Sequence, residues 1–462
     1  MSEAAAIDES ARDGQDLYGL TPDLLRAILE ALDQEDVNRL EALVVPLHAA
    51  DTADLLEQIT PGQRAQVIDA LKPDIDPDIL AYLGESTLED VRDLLGNEEF
   101  ARLVRELDVD DAVEVIGEFD DEDQREILAA VPAAERRMVE EALTFPEESA
   151  GRLMRRDVVA LPMFWNIGQT IDYLRGSKDL PSEFYAVFVV DPSHKPVGMI
   201  SLHDILRNPR DVKLAALVEG EPTTVQADMD QEEVAYLFQQ YGLTEVAVVD
   251  DEGRLLGAVT FDDMVDVINE ESEEDVLRLG GVAETDLNDS IVETTRKRFV
   301  WLLVNLGTAI LASFVIGIFA DTLQTVVALA VLMPIVASMG GNAGTQSMTV
   351  AVRALATKDL TEANALRVIG KEIAVGLLNG VMFAVLIGIV AWLWFSNPML
   401  GGVIAGAMVA NLLIAGMSGA LIPLLLDRLK VDPAVAAGVF LTTVTDVVGF
   451  FVFLALGAAF LL

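Results

Sequence analysis

The chain contains no cysteine and only three histidines, His48, His194 and His203. Disulfides and thiolate metal sites are therefore excluded, and a His-Glu-x-x-His zinc site cannot be assembled, which removes the main catalytic reading of a membrane enzyme. Basic residues are also scarce. Lys and Arg number 31 against 76 Asp and Glu, a formal net charge of −45 over 462 residues. Residues 1–19 are polar and acidic, with no basic n-region or apolar h-region, so no secretory signal is expected. What remains is 52% hydrophobic and long enough for several domains.

Charge and apolar residues are segregated along the chain. Residues 299–462 hold seven acids (Asp321, Asp359, Glu362, Glu372, Asp427, Asp432, Asp446) and six bases (Arg353, Lys358, Arg367, Lys371, Arg428, Lys430), leaving −44 in residues 1–298. Such an anionic half repels nucleic acid and anionic lipid and attracts cations; a saline habitat would favour the same composition. Stretches long enough to cross a bilayer, about 20 residues each, lie near 299–319, 325–339, 373–395, 403–426 and 434–462. The second is short, so its span must continue through the Gly-Asn run behind it. Bases sit at Arg296-Lys-Arg298, between the second and third spans, and at Arg428 and Lys430. The positive-inside rule then predicts a multi-pass protein of the cell (inner) membrane, with the N-terminal domains cytoplasmic and the C-terminus outside.

Two polar islands interrupt the spans. Pro334-Ile-Val-Ala-Ser-Met-Gly-Gly-Asn-Ala-Gly-Thr-Gln346 turns abruptly from apolar to polar at membrane depth. Irregular backbone survives there only if buried in protein or lining a wet cavity, and such a break is expected here. The second island is Thr442-Thr-Val-Thr-Asp446, whose acid lies far from either flank and marks a substrate pathway. An ion-conducting membrane protein is the reading these islands support. Most span glycines, among them Gly376, Gly380, Gly388, Gly416 and Gly419, are read as close-packing positions, and Asn411 as an interhelical hydrogen bond.

In the soluble half, residues 20–145 read as short amphipathic helices broken by Pro and Gly. Ala50-Asp-Thr-Ala-Asp-Leu-Leu56 recurs loosely as Asp110-Asp-Ala-Val-Glu-Val-Ile116, which suggests a small α-helical solenoid; residues 1–19 are expected to be disordered. A clearer repeat follows at an offset of 59 residues. Phe188-Val-Val-Asp191 precedes Val197-Gly-Met-Ile-Ser-Leu-His-Asp-Ile-Leu206, as Ala247-Val-Val-Asp250 precedes Leu256-Gly-Ala-Val-Thr-Phe-Asp-Asp-Met-Val265. Each copy is strand, turn, strand and helix, and the unit resembles a CBS domain, here an α+β tandem pair over 146–209 and 210–275. In nucleotide-binding pairs of that kind a Ser/Thr and an Asp three residues on bind ribose. Ser201/Asp204 and Thr260/Asp263 have that spacing, but helix capping uses the same residues, so bound ATP stays open. On the helix that follows, Asp263, Asp266 and Glu270 share one face, either solvated or holding a divalent cation. A connecting helix, 276–298, then leads to a five-helix transmembrane domain, 299–462.

These motifs together resemble the MgtE family of magnesium channels over nearly the whole chain, including Pro146-Glu-Glu-Ser-Ala-Gly-Arg-Leu-Met154. The resemblance implies a homodimer in the lipid bilayer, a pore on its two-fold axis, and Mg2+ as both substrate and regulator. It assigns Asp446, Asn342, Gly341, Thr442 and Thr443 to the pore. It also implies closure by cytosolic Mg2+ held by Asp54, Asp110, Glu114, Asp230, Glu232, Asp263, Asp266, Glu271, Glu274 and Asp275. Gly242 stands where some relatives carry an acid, so a different sensor ligand set is expected here. A carrier of Co2+, Ni2+ or Mn2+, an ion-coupled carrier and a CBS-bearing anion channel are the rivals. Oxygen-only ligands favour a hard cation, and an acid in the pathway opposes an anion.

Overall fold

The computed structural model describes residues 19–72, 75–178, 180–181, 184–218, 220, 222–282 and 290–462. Residues 1–18 of the expected disordered tail and 283–289 of the connecting segment lie outside them. Two compact units divide between Glu270 and Glu271.

The first unit opens with α1 (Pro22–Asp33), α2 (Val37–Val44), α3 (Ala49–Gln58), α4 (Pro61–Leu71), a 3-10 turn (Pro77–Tyr82), α5 (Glu85–Leu95), α6 (Asn97–Val104), α7 (Val109–Gly117), α8 (Asp121–Ala130) and α9 (Ala133–Ala142). Local signals start them: Thr21 accepts from Leu24 N at 3.2 Å, and Asp120 accepts from Glu122 N and Asp123 N. Helices this short are marginal alone. They are held by one shared core in which Ile28, Leu56, Ile68, Leu88, Phe100 and Ile116 are fully buried. Arg64 is a buried base beside this core, donating to Leu56 O at 2.9 Å and pairing with Asp90.

The repeat follows, led in by α10 (Ala150–Leu153). Its first copy is β1 (Ala160–Pro162), α11 (Ile167–Gly176), β2 (Ala186–Val190), β3 (Pro196–Ser201) and α12 (Leu202–Arg207). The second is β4 (Thr224–Gln226), α13 (Gln231–Tyr241), β5 (Glu245–Val249), β6 (Leu255–Thr260) and α14 (Phe261–Leu279). Each makes a three-stranded sheet, first pair parallel and second antiparallel, with the same irregularity at Val189/Val190 and Val248/Val249. The repeated glycines have a steric reason. A Cβ on Gly198 would strike the Val218 side chain, and one on Gly257 the Arg155 carbonyl. Each glycine thus lets another segment cross the outer strand. At Gly257 that segment is the lead-in to the first copy, whose Arg155 exchanges hydrogen bonds with Ala258 at 2.8 and 2.9 Å.

The second unit contains the tail of α14, then α15 (Ile291–Ile318), α16 (Ala320–Thr325), α17 (Val327–Ala356), α18 (Ala365–Phe395), α19 (Pro398–Arg428) and α20 (Pro433–Leu461). Five of these are long and apolar enough to cross a membrane. Of the expected connecting helix 276–298, residues 276–279 end α14 and 291–298 begin α15, while 283–289 lie outside the described residues. The irregular backbone expected at Gly340–Gln346 is not there. Helix α17 runs unbroken through the glycines, with Pro334 inside it. Continuous helix satisfies each amide internally, which hydrocarbon demands, and the glycines serve contact instead. A Cβ on Gly340 would collide with Asn411, and one on Gly344 with Leu441. Likewise, α18 and α19 approach through Gly376 against Leu412 O and Gly416 against Glu372 O, whereas Gly307, Gly317 and Gly402 face open space.

Candidate functional site

Within the second unit, α17 packs on α20, and both carry polar residues at helical spacing. On α17, Ser338, Asn342, Thr345, Gln346 and Thr349 are exposed, and Asn342 Nδ2 lies 3.4 Å from Ser338 Oγ. Gly341 is half-buried with open space where a Cβ would stand. On α20, Thr442 is exposed and Asp446 half-buried one turn on. The hydroxyls of Thr442 and Thr443 donate to Gly438 O and Val439 O of their own helix, at 2.9 and 2.7 Å. Thr442 O in turn accepts from Thr445 Oγ1 at 3.1 Å. Asn411 is structural: it is buried, donates to Val336 O at 2.7 Å, and is flanked by Gly340 and Gly449.

Within the first unit, acids from α7 meet acids at the start of α14. Asp108, Asp110 and Asp111 bring carboxylate oxygens within 4.8 Å of one another. Asp110 is only 7% exposed. Its Oδ2 accepts from Arg155 Nε at 2.9 Å, and its Oδ1 is buried with no hydrogen-bond partner among the described residues. The Arg155 Nη2 reaches Asp262 at 3.3 Å and Asp263 at 3.5 Å. Burial, then Asp111, pushes Asp110 up to about 7 against the pull of Arg155. Burial and then Asp108 raise Asp111 to about 6, and burial followed by Asp111 and Glu270 raises Glu114 to about 8. Burial also raises Asp263, opposed first by the Thr260 hydroxyl and then by Arg155; Asp266 is raised by burial and by Asp262. Tyr82 of the 3-10 turn is raised by burial and next by Asp266. A seam of crowded carboxylates, one with an unused buried oxygen, is stabilised by added positive charge, and all-oxygen donors suit a hard divalent ion.

The other expected ligands are placed differently. Asp54 is exposed on α3, and Asp230 caps α13 by accepting from Glu232 N at 2.9 Å. Gly242, noted above as a departure, ends α13 in the left-handed conformation at φ +62°, which a residue with a side chain adopts at a cost. In the second unit Glu274 is buried and pairs with Arg278, whose Nη1 donates to Asp432 Oδ2 at 2.5 Å. Burial, then Asp432, raises Asp275. Glu271 is half-buried nearby on the same helix. The hydroxyls of Ser201 and Thr260 donate to Asp204 and Asp263 at 2.6 and 2.5 Å, tying each strand end to the first turn of the next helix, and Ser201 makes no side-chain bond to a helix amide. Sequence reasoning missed Asp108, Asp111, Asp262 and Arg155. The doublets Asp110-Asp111 and Asp262-Asp263 were visible signals; the long-range role of Arg155 had none.

Fold and site define a class: a multi-pass membrane protein whose soluble half joins a helical domain to a CBS pair and concentrates acids where they meet. Family models agree domain by domain. The MgtE intracellular N domain matches residues 47–148, the CBS domain 150–211 and 215–270, and the MgtE divalent cation transporter 333–456. The magnesium transporter MgtE of Thermus thermophilus is 31% identical over 436 residues, covering 93% of this chain and 96% of that one. Its counterpart in Bacillus subtilis is 29% identical over 440 residues, 95% and 98% of the two chains, and that of Enterococcus faecalis 34% over 323, 70% and 71%. A crystal structure of the cytosolic domain of the Mg2+ channel MgtE with ATP aligns at TM-score 0.48 and 26% identity, over 53% of this chain and 99% of that one. The chain belongs to the MgtE family of magnesium transporters.

Proposed function

We propose that the chain is a Mg2+-selective channel, active as a homodimer and closed by cytosolic Mg2+. The observation that carries this reading is the exposed polar face of α17, Ser338 to Thr349, in the same unit as Asp446 of α20. Exposed polar side chains at membrane depth need water or a second protein surface, and a two-fold pore supplies both. Paired Asp446 side chains with Asn342 amides and the open Gly341 backbone give few charges and several neutral oxygens. Mg2+ dehydrates reluctantly and prefers that balance to a dense acid cage. The Thr442 and Thr443 hydroxyls bond within α20, and because Thr442 is exposed and Thr443 half-buried, the share of this pair in the pore falls mainly to Thr442. The bases between spans support a cytoplasmic soluble half and an external C-terminus.

Gating follows from the electrostatics. Without cation the acids of α7, with Asp263 and Asp266, repel; bound Mg2+ cancels the repulsion and favours the compact, closed state. Asp54, Asp230 and Glu232 belong to the same domain set, and Glu271, Glu274 and Asp275 continue it along α14. A nucleotide is the second reading of the CBS pair, favoured by a cleft in which Arg155 and Thr260 meet Phe184 and Phe188. It would have to outcompete the Thr260–Asp263 bond.

Inside-out patches of protein reconstituted in liposomes, with Mg2+ stepped on the cytoplasmic face, test the proposal. Mg2+-selective current that vanishes at millimolar internal Mg2+ is the expected result. Gradient-dependent uptake without single-channel current would instead make this a coupled carrier, and equal Co2+, Ni2+ or Mn2+ passage would remove the selectivity. Asp446→Asn, nearly constant in volume, should lose selection for Mg2+; wild-type selectivity in that variant would displace Asp446 from the pore.

A further inference from the structure

The acidic seam already holds a cation. Arg155 is anchored twice: its backbone pairs with Ala258 of β6, and its guanidinium reaches Asp110 on α7 together with Asp262 and Asp263 on α14. A guanidinium stays charged at any physiological pH and presents a fixed fork of donors. It therefore links the helical domain to the second CBS copy in the way a divalent ion between carboxylates would, and it cannot diffuse away. The neighbouring residues extend the contact. Arg156 donates to Glu141 of α9 at 2.7 Å, and Arg152 lies 3.6 Å from where a Cβ on Gly117 would stand.

The geometry points to Arg155 as a tethered counter-cation that keeps the helical domain docked on the CBS pair when no Mg2+ is bound, and so sets the Mg2+ level to which the seam responds. This rests on the sensing role proposed above, and it sharpens it. Repulsion among the acids is partly cancelled in advance, so complete separation at low Mg2+ is not expected. The unpartnered Oδ1 of Asp110, with Asp108 and Asp111, is the portion of the seam left to a free cation. Arg155 acts by positioning: it touches neither the pore nor the transported ion.

Because the chain has no cysteine, spin labels can be placed at will. Ala129→Cys on α8 and Asp251→Cys in the β5–β6 turn, both exposed, report docking by their distance distribution in the full-length protein in nanodiscs. In EDTA the wild type should show a docked population, and Arg155→Gln should raise the separated-to-docked ratio on the order of tenfold or more, the usual scale for unpairing a buried charge. Arg155→Lys should restore most of it by charge alone, and Asp110→Asn in the Arg155→Gln background should relieve part of the loss. Arg254→Gln, which loses ion pairs confined to the β5–β6 turn, should change nothing. An Arg155→Gln distribution equal to wild type in EDTA, or a wild type already separated there, would overturn the assignment. Adding Mg2+ separates the two ideas. Re-docking of Arg155→Gln by Mg2+ supports both, whereas EDTA-dependent opening that Mg2+ fails to reverse upholds Arg155 and sinks the Mg2+-sensing role.

Discussion

The two CBS copies share strand order, register and even the position of a sheet irregularity, yet they end differently. In the first, β3 passes into α12, six residues long, where the Ser201 hydroxyl donates to Asp204 and lies 2.8 Å from His203. In the second, β6 passes into α14, nineteen residues long, whose first turns carry Asp262, Asp263, Asp266 and Glu270. One glycine of the repeat admits a valine side chain; the other admits a backbone that delivers Arg155 to those acids. The unit is thus duplicated as a scaffold and specialised by what its final helix carries and by which segment crosses its outer strand. The fold alone does not choose which copy carries the acids.

The contrast can be broken most severely at the glycines. Gly257→Ala must move the Arg155 carbonyl, a backbone atom, and should cost about 3 kcal/mol of stability, while Gly198→Ala can shift Val218 for about 1 kcal/mol, as thermal unfolding would show. Equal losses would mean that the lead-in segment is not fixed by its crossing. Next in size, neutralising Asp263, Asp266, Glu271 and Glu274 together should leave conduction but shift half-closure to at least about tenfold higher internal Mg2+. Asp204→Asn in the first copy should leave that midpoint alone; an unchanged midpoint in the quadruple variant would return these acids to an ordinary solvated face.

Acidity offers a milder lever on the same contrast. Asp110, Asp111 and Glu114 are raised to about 7, 6 and 8 from ordinary values near 4. Between those limits the folded seam binds more protons than the unfolded chain, so its stability rises as pH falls from about 8 towards 6 and is lost as pH climbs back. Spin-label distances in EDTA should contract across that window, and a contraction absent at pH 6 would remove carboxylate repulsion as the opposing force. The smallest effect is expected at the two hydroxyls: Ser201→Ala and Thr260→Val each lose a bond to a carboxylate and should cost about 1 kcal/mol in thermal stability. A much larger loss at Thr260 would show that its hydroxyl also holds Asp263 in place for Arg155.

Much of this was legible in the sequence, and the failures have physical causes. The spans follow from apolar length, and the CBS pair from a repeat that preserves Gly198 and Gly257. The Gly340–Gln346 run misleads because glycine and asparagine signal a break in water, whereas in a bilayer backbone bonding outweighs that preference and glycine becomes a contact residue. Asp110 and Glu114 entered only through the family resemblance, and Asp108 and Asp111 join them only once the helix start is placed. Arg155 is illegible for another reason. Its partners lie 45 and 107 residues away, and no periodicity along the chain encodes such a meeting.

The pair at the far end of α14 has a mechanical consequence. Arg278 grips Asp432, and Asp432 also accepts from Ala434 N at 2.7 Å to start α20. Leu279 packs into the cluster formed by Met348 and Val352 of α17 with Ala437 and Leu441 of α20. The last turns of α14, in the second unit, are therefore clamped to the two helices that carry Asn342 and Asp446. Within that unit, any displacement of the last turn of α14 loads α17 and α20 at the clamp itself.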